Sequence, residues 1–221
     1  MHSAGGFRAV TMDLDGTLLD TLEDLADSMN SALRDFGFPV HELAEYRQFV
    51  GEGMENLVRR SLPSPAAADP HVVSRCFELM RRAYDHNWNA KTRPYPGIPE
   101  LLDSLTALGL KMAVLSNKPD EFTQKAVAGL LSAWRFEAVI GDRPPMPRKP
   151  DPFAALEIAN RLGVEPGRFL YLGDTAIDMK TANAAGMYAV GVLWGFRDAE
   201  ELISSGAKKL IAKPADLLEL L

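Results

Sequence analysis

The sequence has very little cysteine and no clustered histidine, and both shortages restrict the chemistry that it can support. Of its 221 residues only Cys76 is a cysteine, which excludes an intrachain disulfide and fits a reducing compartment. The four histidines show no spacing typical of zinc ligands. A zinc site is therefore disfavoured, and we expect Cys76, which lies in a helical pattern, to be a buried and inert thiol.

Long apolar runs and an excess of basic residues are missing too. No stretch approaches the roughly 20 apolar residues of a membrane-spanning helix, and the N-terminal residues MHSAGG lack the charged and apolar regions of a signal peptide. The net charge of -6 argues against a broad attraction to nucleic acid or to an anionic membrane. We therefore expect a cytoplasmic protein with neither nucleic-acid nor membrane partners, and the sequence leaves its oligomeric state open.

The composition that is present suits a chain with a sizeable core. With 47% hydrophobic residues, the chain can form one domain or a domain with an insertion. From Pro94 onward, short apolar strand patterns alternate with amphipathic helical patterns, which predicts a parallel sheet with helices on both faces. The strand patterns occupy residues 111–115, 137–140, 168–172, 188–193 and 208–211. The helical patterns begin near residues 99, 119, 151, 177 and 214.

A helical block separates the first strand pattern, Phe7 to Met12, from these later strands. Its apolar residues recur at spacings of three and four, as in amphipathic helices, and no strand pattern interrupts them. The predicted helices occupy residues 21–36, 41–50, 54–62 and 72–88, with a loop at residues 63–70. Composition alone leaves two arrangements open, an inserted helical module or one larger core that includes these helices.

Two carboxylates follow the first strand pattern, where the chain is expected to turn. One residue separates Asp13 from Asp15, so an extended strand points both side chains the same way, and Gly16 permits a sharp turn. Two unit charges about 4 Å apart repel by about 4 kcal/mol at an effective dielectric constant of about 20. A cation must therefore lie between them, unless the two residues only cap a turn.

Three further segments place polar side chains near predicted strand ends, where open parallel sheets bind ligands. Ser116 and Asn117 offer groups that can donate to phosphate oxygens, although a turn or helix cap would use the same residues. Prolines on both sides of Lys149 restrict its loop, so this lysine is a candidate for a directed cation. Asp174 ends another strand pattern, and Asp178 lies one helical turn further on. Such a cluster of oxygen ligands suits Mg²⁺.

In chain order, these segments resemble the four motifs of the haloacid dehalogenase superfamily of phosphohydrolases. The strings are DLDGTLLDT, LSNK, the lysine before PDP, and GDTAIDM, and the ordered set is more specific than any one of them. The resemblance covers nearly the whole chain. It implies a doubly wound, Rossmann-like α/β core formed by residues 1–19 and 94–221, with an all-helical cap formed by residues 20–93. GVLWGF at residues 191–196 also resembles the phosphoglycolate phosphatase-like branch.

The resemblance implies catalytic and metal-binding roles. Asp13 would be the nucleophile that becomes phosphorylated, and Asp15 would protonate the leaving group and later accept a proton from water. Lys149 would neutralise charge beside the nucleophile. Mg²⁺ would be held by Asp13, the backbone carbonyl of Asp15 and Asp174, while Asp178 would orient a ligand or a metal-bound water.

Ser116, Asn117 and Gly51 are the expected substrate-binding residues. The loop Gly51-Glu52-Gly53 resembles the substrate-facing loop of phosphoglycolate phosphatase-like caps, although a plain turn between helices explains it equally well. The implied function is Mg²⁺-dependent hydrolysis of a small phosphorylated metabolite, with 2-phosphoglycolate as the leading candidate, through an aspartyl phosphate. The alternatives are a phosphomutase of the β-phosphoglucomutase type and a non-catalytic module that binds phosphate and Mg²⁺ on the same scaffold.

Overall fold

A six-stranded parallel sheet organises the larger part of the molecule. The computed structural model describes residues 6–221, so the prediction made for the first N-terminal residues falls outside the described residues. Within the described chain, the strands are β1 (Ala9–Met12), β2 (Leu19–Asp20), β3 (Arg93–Pro94), β4 (Lys111–Pro119), β5 (Ala138–Asp142), β6 (Phe169–Gly173), β7 (Tyr188–Val192) and β8 (Lys209–Ile211).

Helices of the described chain either flank this sheet or form a block of their own. The α-helices are α1 (Leu22–Asp35), α2 (Leu43–Phe49), α3 (Met54–Ser61), α4 (Ser64–Ala67), α5 (Pro70–Asn87), α6 (Ile98–Ala107), α7 (Asp120–Leu130), α8 (Phe153–Leu162), α9 (Ala176–Ala184) and α10 (Ala199–Ser204). Two 3₁₀ helices span Pro166–Arg168 and Pro214–Leu220. No helix among the described residues combines the length and apolar character needed to cross a bilayer.

The sheet is doubly wound around β1. Its strand order is β5-β4-β1-β6-β7-β8, so the chain builds one side first and then returns to build the other. Met12 at the end of β1 pairs with Val114 of β4 and with Leu172 of β6. The order therefore reverses at β1, where sheets of this type bind ligands beyond the carboxyl ends of the strands. The predicted fold class is confirmed.

Both faces of β1 are covered, which explains why its sequence is apolar throughout. Val10 and Met12 pack in a hydrophobic cluster on one face, while Ala9 packs in a second cluster on the other. All four residues of the strand are buried. Successive side chains of a strand point to opposite faces, so a central parallel strand needs apolar residues at nearly every position.

Helices α1 to α5 form a block between β2 and β3, here called the helical insertion. It has its own hydrophobic core, in which Met29, Met80 and Cys76 are fully buried, as expected for the single cysteine. Phe122 and Phe196 from the sheet domain also join this core. The insertion thus has a core of its own, which two side chains of the sheet domain complete where the two parts meet.

The two connections to the insertion run side by side. Strands β2 and β3 pair antiparallel, with Leu19 opposite Pro94. Next to them the buried carboxylate of Asp24 accepts hydrogen bonds from the Lys91 and Thr92 backbone N–H groups and from the Thr92 hydroxyl, at 2.7–3.1 Å. The chain therefore enters and leaves the insertion at one place. A cap at residues 20–93 that moves as a unit stays a prediction.

The structure corrects several details of the sequence prediction. Residues 63–70 contain the short helix α4 instead of a plain loop, because Pro65 in its first turn has a backbone angle suited to a helix. Helix α10 was not predicted, although Asp198 caps it by accepting a hydrogen bond from the Glu201 N–H at 2.9 Å. Strand β4 continues past Leu115 after a register shift. The final segment forms a 3₁₀ helix.

Candidate active site

Asp13 and Asp174 come together because β1 and β6 are parallel neighbours. Each aspartate directly follows its strand, and the Asp13 N–H donates to the Leu172 carbonyl at 2.9 Å. One carboxylate oxygen from each of Asp13, Asp174 and Asp178 lies within 4.8 Å of the other two. All three side chains are buried. Segments about 160 residues apart in sequence thus form one acidic cluster, as the resemblance implied.

The turn after β1 wraps closely around Asp174. Gly16 has a φ of +84°, and a Cβ atom there would lie 2.3 Å from Asp174 Oδ2, so only glycine fits. The Thr17 hydroxyl donates to Asp174 Oδ1 at 3.0 Å, and the Phe196 N–H donates to Oδ2 at 2.9 Å. Protein donors therefore fix the orientation of this carboxylate from two sides.

Lys149 is a buried cation at the centre of the acidic cluster. Its ammonium group lies 2.9 Å from Asp13 Oδ1 and 2.8 Å from Asp178 Oδ1, and it donates to the Leu115 carbonyl at 3.1 Å. The other oxygen of Asp178 accepts from the Thr175 hydroxyl at 2.7 Å and from the Thr175 N–H at 3.1 Å. Asp178 is thus held by protein donors on both oxygens, an arrangement that suits an orienting role.

The charges in this cluster do not balance. Burial raises the pKa of Asp13 well above its ordinary value, the charge of Asp178 adds to this rise, and Lys149 offsets only part of it. Burial and Asp178 likewise raise the pKa of Asp174 to about 7. Burial alone would lower the pKa of Lys149, but the carboxylates of Asp13 and Asp178 raise it above its usual value. The cluster thus holds three carboxylates and one ammonium group, which contacts Asp13 and Asp178.

Asp15 lies in the same pocket but has a different partner. Its two carboxylate oxygens lie 2.8 and 3.1 Å from the Lys118 ammonium group. The Lys118 side chain is only 2% exposed, and its ammonium group lies 4.7 Å from the centre of the Tyr84 ring in the helical insertion. Burial alone would lower the pKa of Lys118, but the charge of Asp15 raises it.

A cavity lies between the sheet domain and the helical insertion. Its polar side comes from the sheet domain and consists of Asp13, Asp15, Ser116, Asn117 and Lys118. Its other side comes from the insertion and consists of Leu25, Val50, Gly51, Gly53, Met54 and Leu57. The structure therefore places all the predicted catalytic and substrate-binding residues on this cavity, except for Lys149, which lies behind Asp13.

Ser116 and Asn117 have backbone partners in addition to their position on the cavity. The Ser116 hydroxyl accepts from the Lys118 N–H at 3.2 Å. The Asn117 side-chain amide donates to the Lys149 carbonyl at 3.1 Å, while its buried Oδ1 has no partner among the described residues. Asn117 therefore holds the Lys149 loop in place, a contact that its motif did not predict.

Sequence and structure comparisons agree on the family. The family model described as haloacid dehalogenase-like hydrolase matches residues 10–192. The chain belongs to the haloacid dehalogenase-like hydrolase family. It is therefore an enzyme, of the phosphatase type that the four motifs implied, and not a non-catalytic module.

Full-length relatives support this assignment. A phosphoglycolate phosphatase of Nitrosospira multiformis is 34% identical over 205 residues, covering 91% of this chain and 90% of the relative. One of Aquifex aeolicus is 30% identical over 214 residues, covering 97% and 96% of the two chains. A solved protein of Lactobacillus delbrueckii subsp. bulgaricus has a TM-score of 0.90 and 30% identity, covering 97% of this chain and 98% of the other.

Lys118 is the residue of this haloacid dehalogenase-like site that motif reading missed. The lysine stands in the LSNK string, but only Ser116 and Asn117 received roles. A signal was present, because Lys118 follows Ser116 by two residues at the end of a strand, the spacing that brings side chains to the same side. Its pairing with Asp15 depends on the extension of β4 beyond Leu115, which the local pattern did not predict.

Proposed function

We propose that the protein hydrolyses a small phosphomonoester in an Mg²⁺-dependent reaction through an aspartyl phosphate at Asp13, with 2-phosphoglycolate as the leading substrate. The observation that carries the proposal is the placement of Asp13 between Asp174, Lys149 and the cavity. The relatives named phosphoglycolate phosphatase support the choice of substrate. A location in the cytoplasm and the absence of nucleic-acid partners stay predictions.

In the first step, a carboxylate oxygen of Asp13 attacks phosphorus and the bond from phosphorus to the leaving alcohol oxygen breaks. Lys149 and the donors around Ser116 offset the negative charge of the phosphate. The carboxylate needs no separate base, because the nucleophile is its ionised form. The product of this step is an aspartyl phosphate and an alcohol.

Asp15 moves the proton in both steps. It protonates the departing alkoxide in the first step. In the second step it accepts a proton from the water that attacks phosphorus, the bond between phosphorus and the Asp13 oxygen breaks, and inorganic phosphate leaves. Lys118 holds both oxygens of Asp15, so it fixes this carboxylate at the cavity wall.

The residues present fit Mg²⁺. The acidic cluster offers oxygen donors only, and its three carboxylates, once ionised, exceed its single ammonium group by two charges, which a divalent cation would balance. Asp13, Asp174 and the backbone carbonyl of Asp15 would hold the ion, with Asp178 orienting the cluster from behind. When bound, Mg²⁺ supplies positive charge that reduces the repulsion between the Asp13 carboxylate and the phosphate dianion.

The cavity offers a leaving group one ammonium group and an apolar wall. Lys118 is the single cation among the described residues that line it, and the insertion covers the remaining wall with apolar side chains. A short phosphorylated hydroxy acid such as 2-phosphoglycolate would place its carboxylate near Lys118 while its phosphate reaches Asp13. We propose that the helical insertion acts as a cap that closes over such a substrate and excludes water.

A substrate panel tests this function. We expect inorganic phosphate to be released from 2-phosphoglycolate with Mg²⁺, faster than from ethyl phosphate, which lacks the carboxylate, and no release in EDTA. Release without any added sugar bisphosphate would argue against the mutase alternative. If 2-phosphoglycolate were no better a substrate than ethyl phosphate, the proposed substrate would be wrong. If neither ester and no aryl phosphate were hydrolysed, the proposed reaction itself would be wrong.

A further inference from the structure

We propose that Arg197 and Phe196 are positioning residues that make the metal-binding geometry of Asp174 depend on contact with the helical insertion. Both belong to the connection between β7 and α10, residues 193–198, here called the β7–α10 loop. The inference rests on the proposed function in one respect, since it takes Asp174 as a ligand of the divalent ion.

Arg197 joins the β7–α10 loop to the end of helix α2 in the insertion. Its guanidinium group donates to the Val50 carbonyl at 2.9 Å, to the Gln48 carbonyl at 3.4 Å and to the Arg47 carbonyl. The last carbonyls of a helix lack hydrogen-bond donors within the helix and carry partial negative charge. A buried cation at this end supplies both the donors and the positive charge. The side chain is 8% exposed and is also paired with Glu201 at 3.3 Å.

A second arginine makes the reverse contact. Arg47 of helix α2 donates to the Gly195 carbonyl in the β7–α10 loop at 3.1 Å. Each side of the boundary thus sends a guanidinium group to the backbone of the other. The position of residues 195–197 is therefore fixed by the insertion as well as by the sheet.

Phe196 connects this contact to the acidic cluster. The residue is 5% exposed and packs in the hydrophobic core of the insertion, while its backbone N–H donates to Asp174 Oδ2 at 2.9 Å. The preceding residue, Gly195, lies so close that a Cβ atom there would be 2.2 Å from Asp174 Cβ and 2.5 Å from the Gly16 carbonyl oxygen. The loop therefore cannot shift without disturbing Asp174.

The same loop also supports the other oxygen of Asp174. The Trp194 indole N–H donates to the Thr17 carbonyl at 3.0 Å, and the Thr17 hydroxyl donates to Asp174 Oδ1 at 3.0 Å. Both oxygens of the carboxylate are thus held by groups that depend on the β7–α10 loop. Displacement of the insertion would loosen Arg197 and Phe196 together and weaken this support.

Two linked effects should therefore be measurable. Contact with the insertion should increase metal affinity, and by thermodynamic reciprocity metal binding should strengthen that contact by the same factor. Groups that hydrogen-bond to metal ligands typically affect metal affinity by about 10- to 100-fold. The effect on metal affinity should be measurable in the absence of substrate, because it acts on a residue that binds the metal.

The experiment measures the Mg²⁺ dissociation constant of the substrate-free protein by calorimetry, in wild type and in Arg197→Met. We expect affinity about 10-fold weaker in Arg197→Met, with partial recovery in Arg197→Lys. Arg47→Met tests the same contact from the insertion side and should also weaken binding. Arg75→Met, an exposed arginine of α5, should bind Mg²⁺ as wild type does. Circular dichroism checks that each variant is folded.

Hydrogen exchange gives a second readout. Mg²⁺ should slow exchange of the amides of residues 43–50 in wild type and should do so less in Arg197→Met. Unchanged Mg²⁺ affinity in both Arg197→Met and Arg47→Met would overturn the inference, even if KM for 2-phosphoglycolate rose. Equal Mg²⁺ affinity in wild type and Asp174→Asn would overturn it as well. Coupling without hydrolysis of 2-phosphoglycolate would leave the inference standing and the proposed substrate wrong.

Discussion

The sheet domain and the helical insertion form opposite walls of one cavity from very different groups. The sheet wall consists mainly of charged and polar side chains whose partners are fixed, such as Asp15, whose two carboxylate oxygens both contact Lys118. The insertion wall consists of apolar side chains and glycine backbone. Reactive groups need fixed partners because misplaced charges are costly when buried, whereas an apolar wall only needs the right shape.

Substitutions in the two walls should have different kinetic consequences. Changes in the sheet wall should affect chemical steps, metal binding and stability. Changes in the insertion wall should alter substrate affinity with little change in turnover. Four experiments can break or sharpen this division, and they are ordered here from the largest expected effect to the smallest.

Replacement of the nucleophile should have the largest effect. Asp13→Asn leaves an uncharged amide that cannot form the acyl phosphate, so we expect kcat to fall by at least about 10⁴-fold. Release of inorganic phosphate from 2-phosphoglycolate measures this. Asp35→Asn, at the exposed end of α1, is the matched control and should leave kcat unchanged. Near-normal turnover by Asp13→Asn would remove the nucleophile assignment.

Loss of the central cation should reduce both turnover and stability. Lys149→Met leaves Asp13 and Asp178 without their shared ammonium group, and removal of one partner from a buried ion pair costs about 3–5 kcal/mol. Urea unfolding in EDTA measures the free energy of unfolding. Lys125→Met removes an exposed ion pair with Asp85 and is the control expected to change little. Equal stabilities of the two variants would contradict the central role of Lys149.

The acidic cluster should make metal binding depend on pH. The pKa of Asp174 is raised from its ordinary value of 3.8 to about 7 in the folded protein, so the folded state holds a proton that the unfolded state releases. The contribution of Asp174 to the stability of the metal-free protein should therefore be greatest below about pH 4 and should fall as the pH rises to about 7.

Mg²⁺ competes with the proton on Asp174. Mg²⁺ affinity should therefore rise with pH, although the stability of the metal-free protein falls. Below about pH 7, Mg²⁺ affinity should rise about 10-fold per pH unit for each proton released, and the contribution of Asp174 to this rise should level off above that pH. Calorimetry at pH 5.5, 6.5 and 8 tests this in the same buffer series. A pH-independent affinity would show that Asp174 is already ionised without the metal.

A conservative change in the insertion wall should have the smallest effect. Met54→Leu keeps the volume and the apolar character of a cavity-lining side chain, so stability should change by less than about 1.5 kcal/mol. We expect KM for 2-phosphoglycolate to change severalfold and kcat to stay within about twofold, because no reacting atom is touched. Steady-state kinetics at saturating Mg²⁺ measures both. A large loss of kcat would show that the insertion wall contributes to the chemical steps as well as to substrate affinity.

Much of the site followed from local sequence because strand ends in a parallel sheet must meet at one edge. Asp13 and Asp174 were predicted together for this reason, and the structure places them together. Asp178 followed from helical spacing. The acidic cluster thus needed no knowledge of side-chain packing.

Contacts between distant segments were not predictable in the same way. The pairing of Lys118 with Asp15 and the pairing of Arg197 with the end of α2 join residues far apart in sequence, and no periodicity records either pair. Helix α10 is a different case, because its Asp198 cap and the two glutamates of its first turn are a local signal that could have been read.

The paired connections β2 and β3 make the insertion an exchangeable unit. Because the chain leaves the sheet domain at Leu19 and returns beside it at Pro94, a short turn between them would restore continuity without altering the register of the six-stranded sheet. Such a shortened protein would expose Phe122 and Phe196, which are otherwise covered by the insertion. A designer who grafts a different lid onto this scaffold would have to match those two rings or replace them with polar residues.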